Sequence, residues 1–140
     1  MVSIFQLFDP QLDLAILVLR LILGPLMFLH GIPKIKGHEG TANFFRDIGI
    51  PFPKLNAWAS FFVETIGSIF IIFGLFTQFW ALLLVGNMVV ATYVQAFKEK
   101  ITLIIDNGKS GYELPLLFAM GFLILFLLGG GQYSLDEILK

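Results

Sequence analysis

A chain of 140 residues that is 57% hydrophobic, carries 16 phenylalanines, has only 14% charged residues and reaches a mean hydropathy of +0.87 is too apolar for a soluble domain, in which about a quarter of residues are charged. A formal net charge of −1 and the lack of a basic stripe with interleaved aromatics exclude nucleic acid as a partner. With no cysteine, disulfides, thiolate catalysis and iron–sulfur ligation are excluded within the chain. The expected class is an all-α integral membrane protein forming one domain over residues 1–140.

The lead-in VSIFQLFDPQLDL is amphipathic, and Pro10 is expected to start or bound the first span. No basic n-region and no A-x-A-like site accompany the first apolar run, so it reads as a retained span and not a signal peptide. That span, residues 12–33, is long enough for the roughly 20 residues a hydrocarbon core requires. It carries Arg20 in its interior, a Pro25 expected to kink it, and His30, Gly31 and Lys34 at its far end. An ionisable group inside an apolar span is costly and normally faces a protein interior with a partner.

Residues 34–56 form a long connection, with a short interfacial helix expected over Thr41–Ile48 and ended by Gly49 and the Pro51/Pro53 pair. The second span, 57–76, has one charge, Glu64. A turn at Thr77–Gln78 then leads into the third span, 79–97, with Asn87 at its middle and Gln95 near its end. A second polar loop, 98–111, precedes the fourth span, 112–129, which opens with Glu113 and Pro115. The spans predict an integral membrane four-helix bundle.

Lys34, Lys36, Arg46, Lys54, Lys98, Lys100 and Lys109 all fall in the two longer loops, whereas the opposite face holds only Lys140. The positive-inside rule therefore places loops 34–56 and 98–111 in the cytoplasm and both termini outside. On span one, Arg20, Gly24, Met27, Gly31 and Lys34 form one stripe. On span two, Ala57, Ser60, Glu64, Gly67, Ser68, Ile71 and Gly74 form another, mostly small. Such stripes allow close backbone approach, so these faces are expected to pack inward.

At about 1.5 Å per residue, Arg20 and Glu64 differ in depth by roughly 8 Å, a gap that two long side chains can bridge. An Arg20–Glu64 pair is therefore expected, with Asn87 near the level of Arg20. His30, Tyr93, Gln95, Tyr112 and Glu113 gather toward the cytoplasmic end. The candidate substrate-binding set is Arg20, His30, Glu64, Asn87, Gln95 and Glu113. The pair could instead fix helix register, His30 could be an interfacial hydrogen-bonding group, Glu113 could stabilise a helix N-terminus, and Lys34 reads as a snorkelling cation. His30 and His38 have no third ligand at helical spacing, so no metal is expected.

The Arg of span one followed by HGIPK, the loop's FFRDIGIP, Glu64 before a run ending GLFTQ, the acid opening span four and the tail GGGQYSLDE together resemble the DoxX family. The resemblance implies a four-helix membrane protein grouped with the DoxD subunit of a thiosulfate:quinone oxidoreductase and with proteins of quinone or catechol stress. Relatives often place a His near the end of span three, where this chain has Tyr93 and Gln95. What it implies is a quinone-interacting subunit in the cell membrane, acting in an oxidoreductase complex or a quinone or oxidative-stress response.

The chain has no flavin or nicotinamide motif, so its cofactors are none of its own, with a bound quinone as the ligand and a soluble redox subunit as the partner. The alternative is a non-enzymatic membrane protein that holds lipid or a solute, or anchors a soluble partner. Membrane lipid is a partner in either case, and a homo-oligomer is left open.

Overall fold

The computed structural model describes residues 4–104 and 111–140, with side chains from Pro10 onward. Every element among the described residues is helical. In chain order they are α1 (Ile4–Lys36), α2 (His38–Asp47), α3 (Pro53–Phe73), α4 (Thr77–Tyr93), α5 (Glu113–Leu128) and a single turn, α6 (Leu135–Ile138). A π-turn over Val94–Lys98 continues α4.

Three helices are long and apolar enough to cross a membrane: Pro10–Lys36, Pro53–Phe73 and Thr77–Lys98. The expected fourth span is the 16-residue α5, which at 1.5 Å per residue is about 24 Å long. It is as apolar as the others but shorter. Large apolar side chains such as Leu21, Leu29, Phe73, Phe79, Leu117 and Leu127 face outward, the surface expected of a membrane protein.

Several expected boundaries moved. Helix α1 is unbroken through Pro10, Pro25 and Pro33, so Pro10 does not bound it and the lead-in from Ile4 continues the same helix. The connection 34–56 is mostly helix, because α2 starts at His38, three residues before the expected Thr41. The turn expected at Thr77–Gln78 falls instead at Gly74–Phe76, where Gly74 (φ 69°) and Phe76 (φ 49°) take left-handed conformations. Thr77 begins α4 because the backbone N–H groups of Phe76 and Thr77 donate to the Asp136 carboxylate at 2.6 and 2.8 Å. The tail thus caps α4, filling donors that a helix start leaves open. Lys109 and the rest of residues 105–110 lie outside the described residues.

The small-residue stripes do face inward. Helix α1 runs along α3, and the contact is close enough that a Cβ on Gly24 would lie 2.5 Å from Ile72 and one on Gly31 would lie 2.5 Å from Thr65 Oγ1. Helix α4 runs along α5 and beside α3, α1 also meets α5, and α2 lies on α3. Ile16, Met27, Ile71, Ala81, Leu84, Met88, Phe118, Phe122 and Leu125 fill the space between them.

Candidate functional site

Two buried polar centres lie along α3, one at its C-terminal end and one at its middle. Arg20, on α1, is 2% exposed. Its Nε donates to Ile71 O at 3.0 Å, Nη2 to Ile72 O at 2.8 Å, and Nη1 to Gly130 O at 2.8 Å and Tyr133 O at 3.0 Å. The first two carbonyls belong to the last turn of α3, which carries the negative end of the helix dipole, and Ile71 O also accepts the Gly74 N–H at 3.1 Å. The other two come from the glycine-rich tail. Gly74 has no room for a side chain here, since a Cβ would lie 2.7 Å from Arg20 Cζ.

The expected Arg20–Glu64 pair therefore does not form. Arg20 reaches toward the C-terminal end of α3, away from Glu64, because four carbonyls satisfy its donors there. Asn87 likewise does not join Arg20.

Glu64, 1% exposed, takes its cation from Lys34 at the end of α1. Its Oε1 accepts from Lys34 Nζ, from Ser60 Oγ at 3.1 Å and from Asn87 Nδ2 at 2.6 Å. Lys34 Nζ also donates to Ser60 Oγ at 3.1 Å. Three donors thus converge on one carboxylate oxygen, while Oε2 is buried with no hydrogen-bond partner. Sequence reasoning discounted Lys34 as a snorkelling side chain and passed over Ser60. Both were legible in part, since Lys34 shares the stripe of Arg20 and Ser60 stands one turn before Glu64.

Two cavities adjoin this pair. The larger, of about 500 Å³, lies under α2 and between α3 and α4, with Phe44, Phe45, Val90 and Val94 among its walls. The smaller, of about 210 Å³, lies toward α1 and α5 and is lined by Met27, His30, Met88, Leu114, Pro115 and Phe118. Lys34, Glu64, Ala91 and Gln95 line both. His30 is exposed on its outer side and meets Phe118 edge-on at 5.6 Å between ring centres. Gln95, in the π-turn, is half-buried, and its Oε1 has no donor.

Glu113 starts α5 beside these groups but lines neither cavity. Its N–H donates to Leu103 O at 3.0 Å, and its buried Oε2 is unpartnered. Of the six candidate residues, the structure brings Glu64, Asn87, Gln95 and His30 to the walls of these two adjoining cavities. Arg20 stands apart at the C-terminal end of α3, and Glu113 lies at the margin.

The DoxX family model matches residues 15–96, a stretch that holds Arg20, His30, Lys34, Ser60, Glu64, Asn87 and Gln95. Similar curated proteins include the "Putative oxidoreductase CatD" of Bacillus subtilis, 37% identical over 58% of this chain and 62% of its own length. An uncharacterized protein of Haemophilus influenzae is 32% identical over 90% of this chain and 83% of its own. The inner membrane protein YqjF of Escherichia coli is 28% identical over 91% and 94%. The match to CatD thus spans less than two thirds of that relative. No solved structure matches the chain.

Proposed function

The chain belongs to the DoxX family, and from the buried pair at its centre we propose that it is a quinone-interacting subunit of a membrane oxidoreductase complex. One observation carries this reading: Glu64 is buried where two cavities of about 500 and 210 Å³ adjoin, with three donors on Oε1 and none on Oε2. A buried carboxylate oxygen without a partner is costly, and a ligand O–H is the group that relieves it. A hydroquinone supplies that O–H, and its oxidised form accepts a hydrogen bond from Lys34 Nζ. Apolar and aromatic walls with few convergent polar groups suit such a ring. The word oxidoreductase in CatD's name agrees with the reading.

The role assigned to this chain is binding and orientation, with Glu64 holding or releasing a proton at Oε2. Having no cysteine and no nucleotide-binding fingerprint, it takes its redox centre from a partner subunit in this reading. The same proposal has α1, α3, α4 and α5 crossing the cell membrane as a four-helix bundle, with α2 at the interface. Lys36, Arg46, Lys54, Lys98 and Lys100 then put both longer loops on the cytoplasmic side and the termini outside.

The test is mass spectrometry of organic extracts from protein purified in mild detergent, with Glu64→Gln and Arg20→Gln alongside. A quinone retained by the parent and lost from a folded Glu64→Gln variant supports the reading. Bulk phospholipid alone, in parent and variant equally, overturns it and favours the non-enzymatic lipid-holding or anchoring role.

A further inference from the structure

The two cavities beside Lys34 and Glu64 differ in character. The smaller one gathers four hydrogen-bonding groups around a small volume: His30 and Lys34, one turn apart on α1, with Glu64 and Gln95. Met27, Met88 and Phe118 line it as well, thioether and aromatic surfaces that favour contact with a flat ring. A cavity of about 150 Å³ holds benzene, so one of about 210 Å³ matches a single substituted ring.

The larger cavity has another shape of wall. Phe44 and Phe45 of α2 face Val90, Ala91 and Val94 of α4, and Ser60 and Asn87 already spend hydrogen bonds on Glu64 Oε1. Gly40 also lines it, and a Cβ there would meet nothing within 4 Å. A quinone carries oxygens at opposite ends of its ring and, in membranes, an apolar side chain.

We propose that the two cavities are one two-compartment site for a single-ring quinone with an apolar chain: the ring lies in the smaller chamber between Glu64 and His30, and the chain runs past Lys34 and Ala91 into the larger chamber beneath α2. This inference rests on the quinone reading above and adds to it the ring size, the ligand's direction and the part played by α2. Lys34, Glu64, Ala91 and Gln95 form the ring of residues through which the ligand passes. His30, which makes no contact with Glu64, becomes the second ligand of the ring.

The experiment is photolabelling of the full chain in mild detergent with two probes: a benzoquinone bearing an azide on the ring, and one bearing a diazirine at the end of a ten-carbon chain. Peptide mass spectrometry maps the labels, with unlabelled quinone as competitor. The ring probe is expected to label the Met27–Lys34 and Leu114–Phe118 segments, and the chain probe Phe44, Phe45 and Val90. Gly40→Leu is expected to reduce chain labelling at Phe44 and Phe45 by about tenfold while ring labelling changes less than about twofold, because Gly40 lines only the larger chamber. Ring labels on α2, or chain labels only on outward-facing residues, overturn the two-compartment arrangement while leaving the quinone reading standing. No label that unlabelled quinone displaces, from either probe, overturns the quinone reading itself.

Discussion

Lys34 and Glu64, thirty residues apart in sequence, share a hydrogen-bonded ion pair that ties the end of α1 to the middle of α3. The pair is asymmetric: the Lys34 side chain is 31% exposed and that of Glu64 only 1%. Losing the cation therefore strands a buried charge, whereas losing the carboxylate leaves an ammonium that can turn to water.

Lys34→Met is expected to cost roughly 3 kcal/mol of stability, and Glu64→Gln about 1–2 kcal/mol. The double variant should be more stable than the sum of the two predicts, since neither charge remains unpaired. Thermal unfolding in detergent checks this, and equal costs for the two single variants would contradict the asymmetry.

Two glycines separate close packing from open space. Gly31→Ala places a methyl 2.5 Å from Thr65 Oγ1 and 3.2 Å from Thr65 N, where α1 meets α3, and should destabilise by about 1–3 kcal/mol. Gly40→Ala in α2 meets nothing within 4 Å and should be neutral or stabilising by up to about 1 kcal/mol. Parallel unfolding curves of the two variants decide the matter.

Arg20 is held by planar geometry as much as by charge. Its Nε and two Nη atoms point to four carbonyls of α3 and the tail, so Arg20→Lys should rescue little of the loss seen in Arg20→Met. Both are expected to lower stability by about 3 kcal/mol or more and to loosen the segment around Gly130–Ser134. Limited proteolysis reads the loosening as faster cleavage in the tail.

Asp136 caps α4 from sixty residues away through Phe76 N and Thr77 N. Asp136→Ala should cost about 1–2 kcal/mol, with hydrogen exchange rising first at Phe76 and Thr77. Unchanged protection there would show that the tail does not hold the turn.

The sequence was sufficient for whatever depends on local composition and periodicity. Long apolar runs made the helices and the membrane class, and the stripes Arg20–Gly24–Met27–Gly31 and Ala57–Ser60–Glu64–Gly67–Ser68 marked the faces that α1 and α3 bury. These features follow from the 3.6-residue repeat and the burial of small residues, which need no knowledge of distant partners.

Which polar group pairs with which was decided only by the tertiary structure. Depth along the helices made Arg20 and Glu64 plausible partners, but the carbonyls at the end of α3 and the returning tail claimed Arg20, and Lys34 with Asn87 claimed Glu64. Open helix-end carbonyls are written into no residue's identity, and the tail's approach to the α3–α4 turn is set by the glycines at 129–131 and by Asp136 acting across the fold. For the same reason the turn moved to Gly74, and the two cavities beside Glu64 arose only where five helical segments left space between them.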